Sequence, residues 1–88
     1  MNLWLLSRTD DVSWDEYEAV VVAAESPQRA MEIHPDGNAT FNGTDWRTAR
    51  GFTDGQTWAD PNSLKVDFLG TAKPGTRAGV ILASFRAG

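Results

Sequence analysis

The chain has 88 residues, a net charge of −4 and no cysteine, which bounds it to one small domain (1–88) without disulfides or thiolate metal sites. The acidic balance argues against generic nucleic-acid binding, which needs a basic face. No apolar run approaches a membrane span or the core of a secretory signal, so the expected compartment is the cytoplasm.

Met1 to Arg8 opens with a short aromatic strand over Leu3–Arg8, with Leu3 and Leu5 on one face and Trp4 and Leu6 on the other. A polar stretch, Thr9 to Glu16, follows. Tyr17–Ala24 (YEAVVVAA) is the clearest strand. Its three consecutive valines are β-branched and favour an extended backbone. Being apolar on both faces, it belongs in the middle of a sheet.

Ser26 is an N-cap and Pro27 sits at the first helical position, where its missing N–H costs nothing. The helix is expected to run about eight residues before Pro35-Asp36-Gly37 stops it, leaving His34 at its C-terminus. So short a helix must dock on the sheet.

Residues 36–63 form an insert rich in Gly, Asp, Asn and Thr. Asn42-Gly43 predicts a type I′ hairpin between Ala39–Phe41 and Thr44–Trp46, and Asp54-Gly55 a second turn. Leu64, Val66 and Phe68 alternate with Lys65 and Asp67 as a half-buried strand. Pro74-Gly75 supplies type II turn chemistry, and Gly79–Arg86 (GVILASFR) is a second strand apolar on both faces. The fold class is therefore α+β: a mainly antiparallel sheet of four strands in the order β-β-α-insert-β-β, with one short helix on one face.

Several motifs fail on chemistry. Gly70 to Thr76 has phosphate-loop glycine spacing but lacks the lysine and the following helix, so a hairpin turn is the better reading. Asp36-Gly37-Asn38-Ala39-Thr40 opens like a calcium loop, yet Phe41 and Arg47 stand where glycine and glutamate are required. Asn38-Ala39-Thr40 and Asn42-Gly43-Thr44 match the glycosylation sequon only as turn residues. His34, the single histidine, has no obvious partners for metal binding or nucleophilic catalysis. No catalytic residue, metal site or cofactor is predicted.

Two features point instead to binding. The charge is uneven: residues 1–36 hold eight acids against Arg8 and Arg29, and residues 37–88 hold four acids against six bases. The run Asp10, Asp11, Asp15, Glu16, Glu18, with Tyr17 inside it, is an acidic edge, either solvated or used for charge-steered association. The second feature is four tryptophans. Trp4 and Trp14 are expected in the core. Trp46 and Trp58 lie in the polar insert near Arg47 and Arg50, and an aromatic beside arginine is suited to stacking a base or anchoring a partner. Arginine outnumbers lysine six to two, which suits bidentate recognition of phosphate or carboxylate.

Arg8-Thr9-Asp10, Asp15-Glu16-Tyr17-Glu18 leading into Val20–Ala24, Ala30, Lys65-Val66 through Leu69-Gly70, and Gly79 to Gly88 together form a pattern. On those residues, which span most of the chain outside 36–57, the protein resembles a group of small proteins encoded by tailed bacteriophages, especially those of actinobacteria. The resemblance implies a compact accessory factor acting in the host cytosol. Some of these factors bind and neutralise host defence proteins or sequester the cyclic nucleotides that defence systems use as signals.

The leading expectation is thus a non-enzymatic counter-defence protein that sequesters a signalling nucleotide, with Trp46 or Trp58 stacking the base and Arg47, Arg50 and Arg86 meeting phosphates. The alternative is a protein–protein adaptor that inhibits a host factor through the aromatic patch or the acidic edge. A small hydrolase using Asp15 and Glu16 stands third. Two strands apolar on both faces leave more surface than one helix covers, so a homo-oligomer, most simply a two-fold dimer, is expected.

Overall fold

A computed structural model of the chain describes residues 1–37, 39–48, 50–52 and 57–86. Six strands, β1 (Asn2–Arg8), β2 (Glu16–Ala24), β3 (Ala39–Phe41), β4 (Trp46–Thr48), β5 (Leu64–Thr71) and β6 (Gly79–Arg86), accompany one helix, α1 (Pro27–Met31), and a 3-10 turn over Pro61–Ser63. The main sheet is antiparallel in the order β5-β1-β2-β6, and β3 and β4 form a separate hairpin. This is the α+β architecture that the hydrophobic pattern predicts, with the valine-rich β2 between two neighbours.

The registers sort the side chains. Trp4, Leu6 and Arg8 of β1 lie beside Val22 and Val20 of β2 and beside Phe68, Val66 and Leu64 of β5. Leu6, Val20 and Val22 of this front face are fully buried with Ala30 of α1, Ala39 and Trp46 of the hairpin, and Trp58. Helix and insert therefore cover the same face, and they do so together. Leu3, Leu5 and Ser7, Ala23, Val21 and Ala19, and Leu82 and Ser84 occupy the back face.

Ser26 caps α1, its Oγ accepting from Arg29 N at 3.2 Å, with Pro27 at the first position. The helix is five residues long rather than eight, with Glu32 as its C-cap. Ile33 N closes it by donating to Ala30 O at 3.1 Å, and His34 cannot stay helical ahead of Pro35. His34 instead turns inward to 1% exposure.

Two turn expectations need correction. Phe41 pairs with Trp46, so the hairpin tip is the longer loop 42–45 and not a two-residue type I′ turn. Asn42 sets it: its Oδ1 accepts from both Thr44 N and Asp45 N at 2.8 Å, the side-chain capping that makes asparagine a turn former. The Lys73–Thr76 turn does have type II character, Thr76 N donating to Lys73 O at 3.1 Å with Gly75 at φ +88°. It is not a hairpin, however, because β5 and β6 occupy opposite edges. The connection 72–78 crosses the end of the sheet where β1 begins, tied there by Ala72 N donating to Met1 O at 2.9 Å. The turn expected at Asp54-Gly55 lies outside the described residues.

Candidate interaction surface

The acidic stretch folds around a guanidinium. Arg8, on the front face at the end of β1, has a side chain only 6% exposed. Its Nε and Nη2 donate to the two carboxylate oxygens of Asp10, both at 2.8 Å, and Nη1 donates to Glu16 Oε1 at 2.8 Å. Nη1 also reaches Tyr17 O at 3.3 Å. Asp10's hydrogen bonds are the largest influence on Arg8 and raise its pKa; burial opposes them and Glu16 adds to them. The same hydrogen bonds from Arg8 hold the Asp10 carboxyl below its ordinary range, against a smaller effect of burial. Fork-to-fork pairing of this kind fixes geometry as well as charge, so Arg8 is the clip that shapes the loop 9–15. Glu16 is consequently held by Arg8, and Asp15 is exposed at positive φ (62°) beyond the clip.

The loop's outer end rests on β6. Arg86 Nη1 donates to Val12 O at 3.0 Å, Asp15 N donates to Arg86 O, and the Arg86 guanidinium sits 4.4 Å over the ring of Trp14. Trp14 is 63% exposed and not in the core. Its neighbours Ser13 and Asp15 are the sequence signal for that exposure, since no apolar periodicity surrounds it. Among the described residues, Trp14 and Arg86 are therefore where an exposed indole meets an arginine.

Trp46 and Trp58 do not serve as stacking platforms. They are 4% and 5% exposed. Trp46 packs on Phe41 and His34 with ring centroids 5.4 and 5.2 Å away, and its Nε1 donates to Ala59 O at 2.9 Å. Trp58 Nε1 is buried with no hydrogen-bond partner among the described residues. A polar, glycine-rich insert has to bring its own apolar mass to cover a sheet, and these two indoles supply it. Arg47 pairs with Asp45 at 3.0 Å and with Gly51 O at 3.1 Å. Arg50 is exposed in the turn after β4, whereas Arg86 lies on the main sheet's edge, so the expected five-residue site is not assembled.

Three open surfaces remain among the described residues. One, of about 360 Å³, lies where α1 approaches the start of β1 and the connection 72–78, lined by Met1, Ala24, Arg29, Glu32 and Ala78. A cleft of about 290 Å³ runs between α1, β3 and the 3-10 turn, lined by Met31, Phe41 and Pro61 together with Gln28, Asn62 and the carboxylate-bearing Glu32. Thr40, also in its lining, faces Arg47 across the hairpin. The third is the back of the main sheet. Leu3, Leu5 and Val21 are half-buried there, Leu82 is 68% exposed, and Ile81 beside it is 51% exposed. A shallow apolar depression of about 160 Å³ lies among Leu5, Val21 and Leu82. Neither α1 nor the hairpin reaches this face.

Among the described residues, no group of three or more His, Cys, Asp or Glu is placed to hold a metal ion, and no helix is long and apolar enough to cross a membrane. No protein-family model matches the chain, and no curated protein or solved structure is significantly similar to it.

Proposed function

We propose that this chain is a non-enzymatic binding protein that works through a protein–protein contact on the back of its main sheet. One observation carries the reading: helix and insert both pack on the front, and among the described residues the back keeps an apolar strip with Leu82 exposed and Leu3, Leu5 and Val21 half-buried. An antiparallel sheet with one face to water normally alternates apolar inside with polar outside. Here β2 and β6 are apolar on both sides, and contiguous exposed apolar area of this kind marks an interaction site. The phage resemblance supplies the setting, an adaptor that occupies a host factor during infection.

A photo-crosslinking residue at Leu5 or Thr40 tests this in infected cells. Protein adducts from position 5 and none from position 40 support the reading. Adducts only from the front-side position 40 overturn it.

Sequestration of a nucleotide is the second reading, and the cleft between α1 and β3 favours it. Its apolar lining suits a flat ring and Gln28 and Asn62 offer donors and acceptors to a base edge, while a phosphate would have to draw Arg47 from Asp45 and avoid Glu32. A ligand that binds the native state alone raises the melting temperature in proportion to the logarithm of its concentration. A thermal-shift screen against linear and cyclic nucleotides, with the ligand recovered intact by mass spectrometry, decides it. No shift across the panel removes this reading.

A further inference from the structure

The two edges of the main sheet are built differently. β5 places Lys65 and Asp67 mid-strand, the kind of charge that keeps an edge from pairing with another chain. From Gly79 to Phe85, β6 carries no charge at all, and Ile81, Leu82 and Phe85 are 51%, 68% and 46% exposed. Ile81 is the unpaired residue of a bulge, since Val22 pairs with Val80 and Val21 with Leu82. A second register shift lies opposite Ser84 and Phe85, and β6 is the outer strand of the sheet along its whole length.

We infer that β6 pairs antiparallel with β6 of a second copy of this chain, giving a two-fold dimer with one continuous eight-stranded sheet. The charges beside the strand select this partner and this direction. The connection leading into Gly79 carries Lys73 and Arg77, both exposed, and no acid. The other end of the strand is clasped by the loop bearing the exposed Asp11 and Asp15, which outnumber the one cation at that end, Arg86, whose guanidinium is held by Val12 O and the ring of Trp14. Antiparallel pairing sets the basic connection of each copy beside the acidic loop of the other, and the two-fold axis makes that match twice. Parallel pairing would set basic against basic and acidic against acidic. A two-fold contact must complement itself, and a strand with opposite charges at its two ends does so in one direction only.

The inference rests on the back of the sheet being the working surface, because pairing at β6 joins two such faces into one. Sedimentation velocity of the full chain across a concentration and salt series tests it. The expected mass is twice the chain's 9.6 kDa, with dissociation favoured by salt. Leu82→Lys is expected to give a monomer, and Arg77→Glu to weaken association at least about tenfold. Adding Asp11→Arg to Arg77→Glu restores it, a reversal that misfolding cannot imitate. Leu5→Gln, on the face but away from the edge, leaves the dimer intact.

A wild-type monomer at high micromolar concentration overturns the pairing. So does a dimer indifferent to Leu82→Lys and Arg77→Glu, or one lost in Leu5→Gln and kept in Leu82→Lys. In each case, crosslinking from position 5 to another protein would leave the proposed function standing; absence of both the dimer and those adducts removes both.

Discussion

Replacing Arg8 with methionine removes the clip from the acidic loop while keeping most of the apolar stem. The variant leaves Asp10 without its two 2.8 Å hydrogen bonds and Glu16, whose side chain is 22% exposed, without its 2.8 Å partner. Breaking a fully buried ion pair costs about 3–5 kcal/mol. Arg8 is occluded by the loop at the rim of the sheet rather than by the core, and Asp10 is 40% exposed, so solvent screens part of the interaction. The expected loss is about 2–3 kcal/mol, or roughly 10–20 °C in melting temperature for a chain of this size.

Circular-dichroism melts and urea titrations measure it, and pH gives a second readout. Arg8 depresses the Asp10 pKa, so the folded state holds this proton less tightly than the unfolded chain does. The stabilisation is present above the ordinary value of 3.8 and fades as pH falls through the lower folded value. Arg8 itself is shifted upward by its hydrogen bonds to Asp10 and so stays charged throughout this range. Wild type should lose stability below about pH 4 more steeply than Arg8→Met does. A variant within about 0.5 kcal/mol of wild type, with an unchanged acid limb, would refute the clip.

The two buried indoles should respond unequally to phenylalanine. Trp46→Phe strands the buried Ala59 carbonyl that its Nε1 serves at 2.9 Å, whereas Trp58→Phe removes a donor that has no partner among the described residues. The first is expected to cost at least about 1 kcal/mol more than the second by chemical denaturation. Leu6→Ala, at 0% exposure between β2 and β5, is expected to cost about 2–5 kcal/mol in the same assay. Ser26→Ala should cost about 1 kcal/mol, since it deletes the 3.2 Å cap on Arg29 N of a helix too short to compensate.

The main strands were legible because their signal is local. Val20-Val21-Val22 and Gly79–Arg86 announce themselves by β-branching, and Ser26-Pro27 marks a helix start whatever surrounds it. Sheet order is not local: β6 and β2 look alike in composition, and only pairing makes one central and the other an edge. The site expectation failed at Trp46 and Trp58 for a related reason. Aromatic residues in polar company read as exposed, but an insert folded onto a sheet has to bury something, and those indoles were its only large apolar groups besides the phenylalanines. Trp14 is the opposite case, an indole left exposed, and Arg8 carries no sequence signal because its partners converge only after the loop closes.

The edge-to-edge connection also shapes how this protein assembles. Arg8 pairs with Leu64 and Ala23 with Gly79, so each outer strand closes a loop of roughly 55 residues on a hairpin nucleus of β1 and β2. Because one connection joins both outer strands, neither can settle far ahead of the other. Folding should then be slow for so short a chain and confined to a single kinetic phase. The unpaired hairpin would persist long enough for its valine-rich strand to meet other chains, which makes concentration during refolding a practical variable.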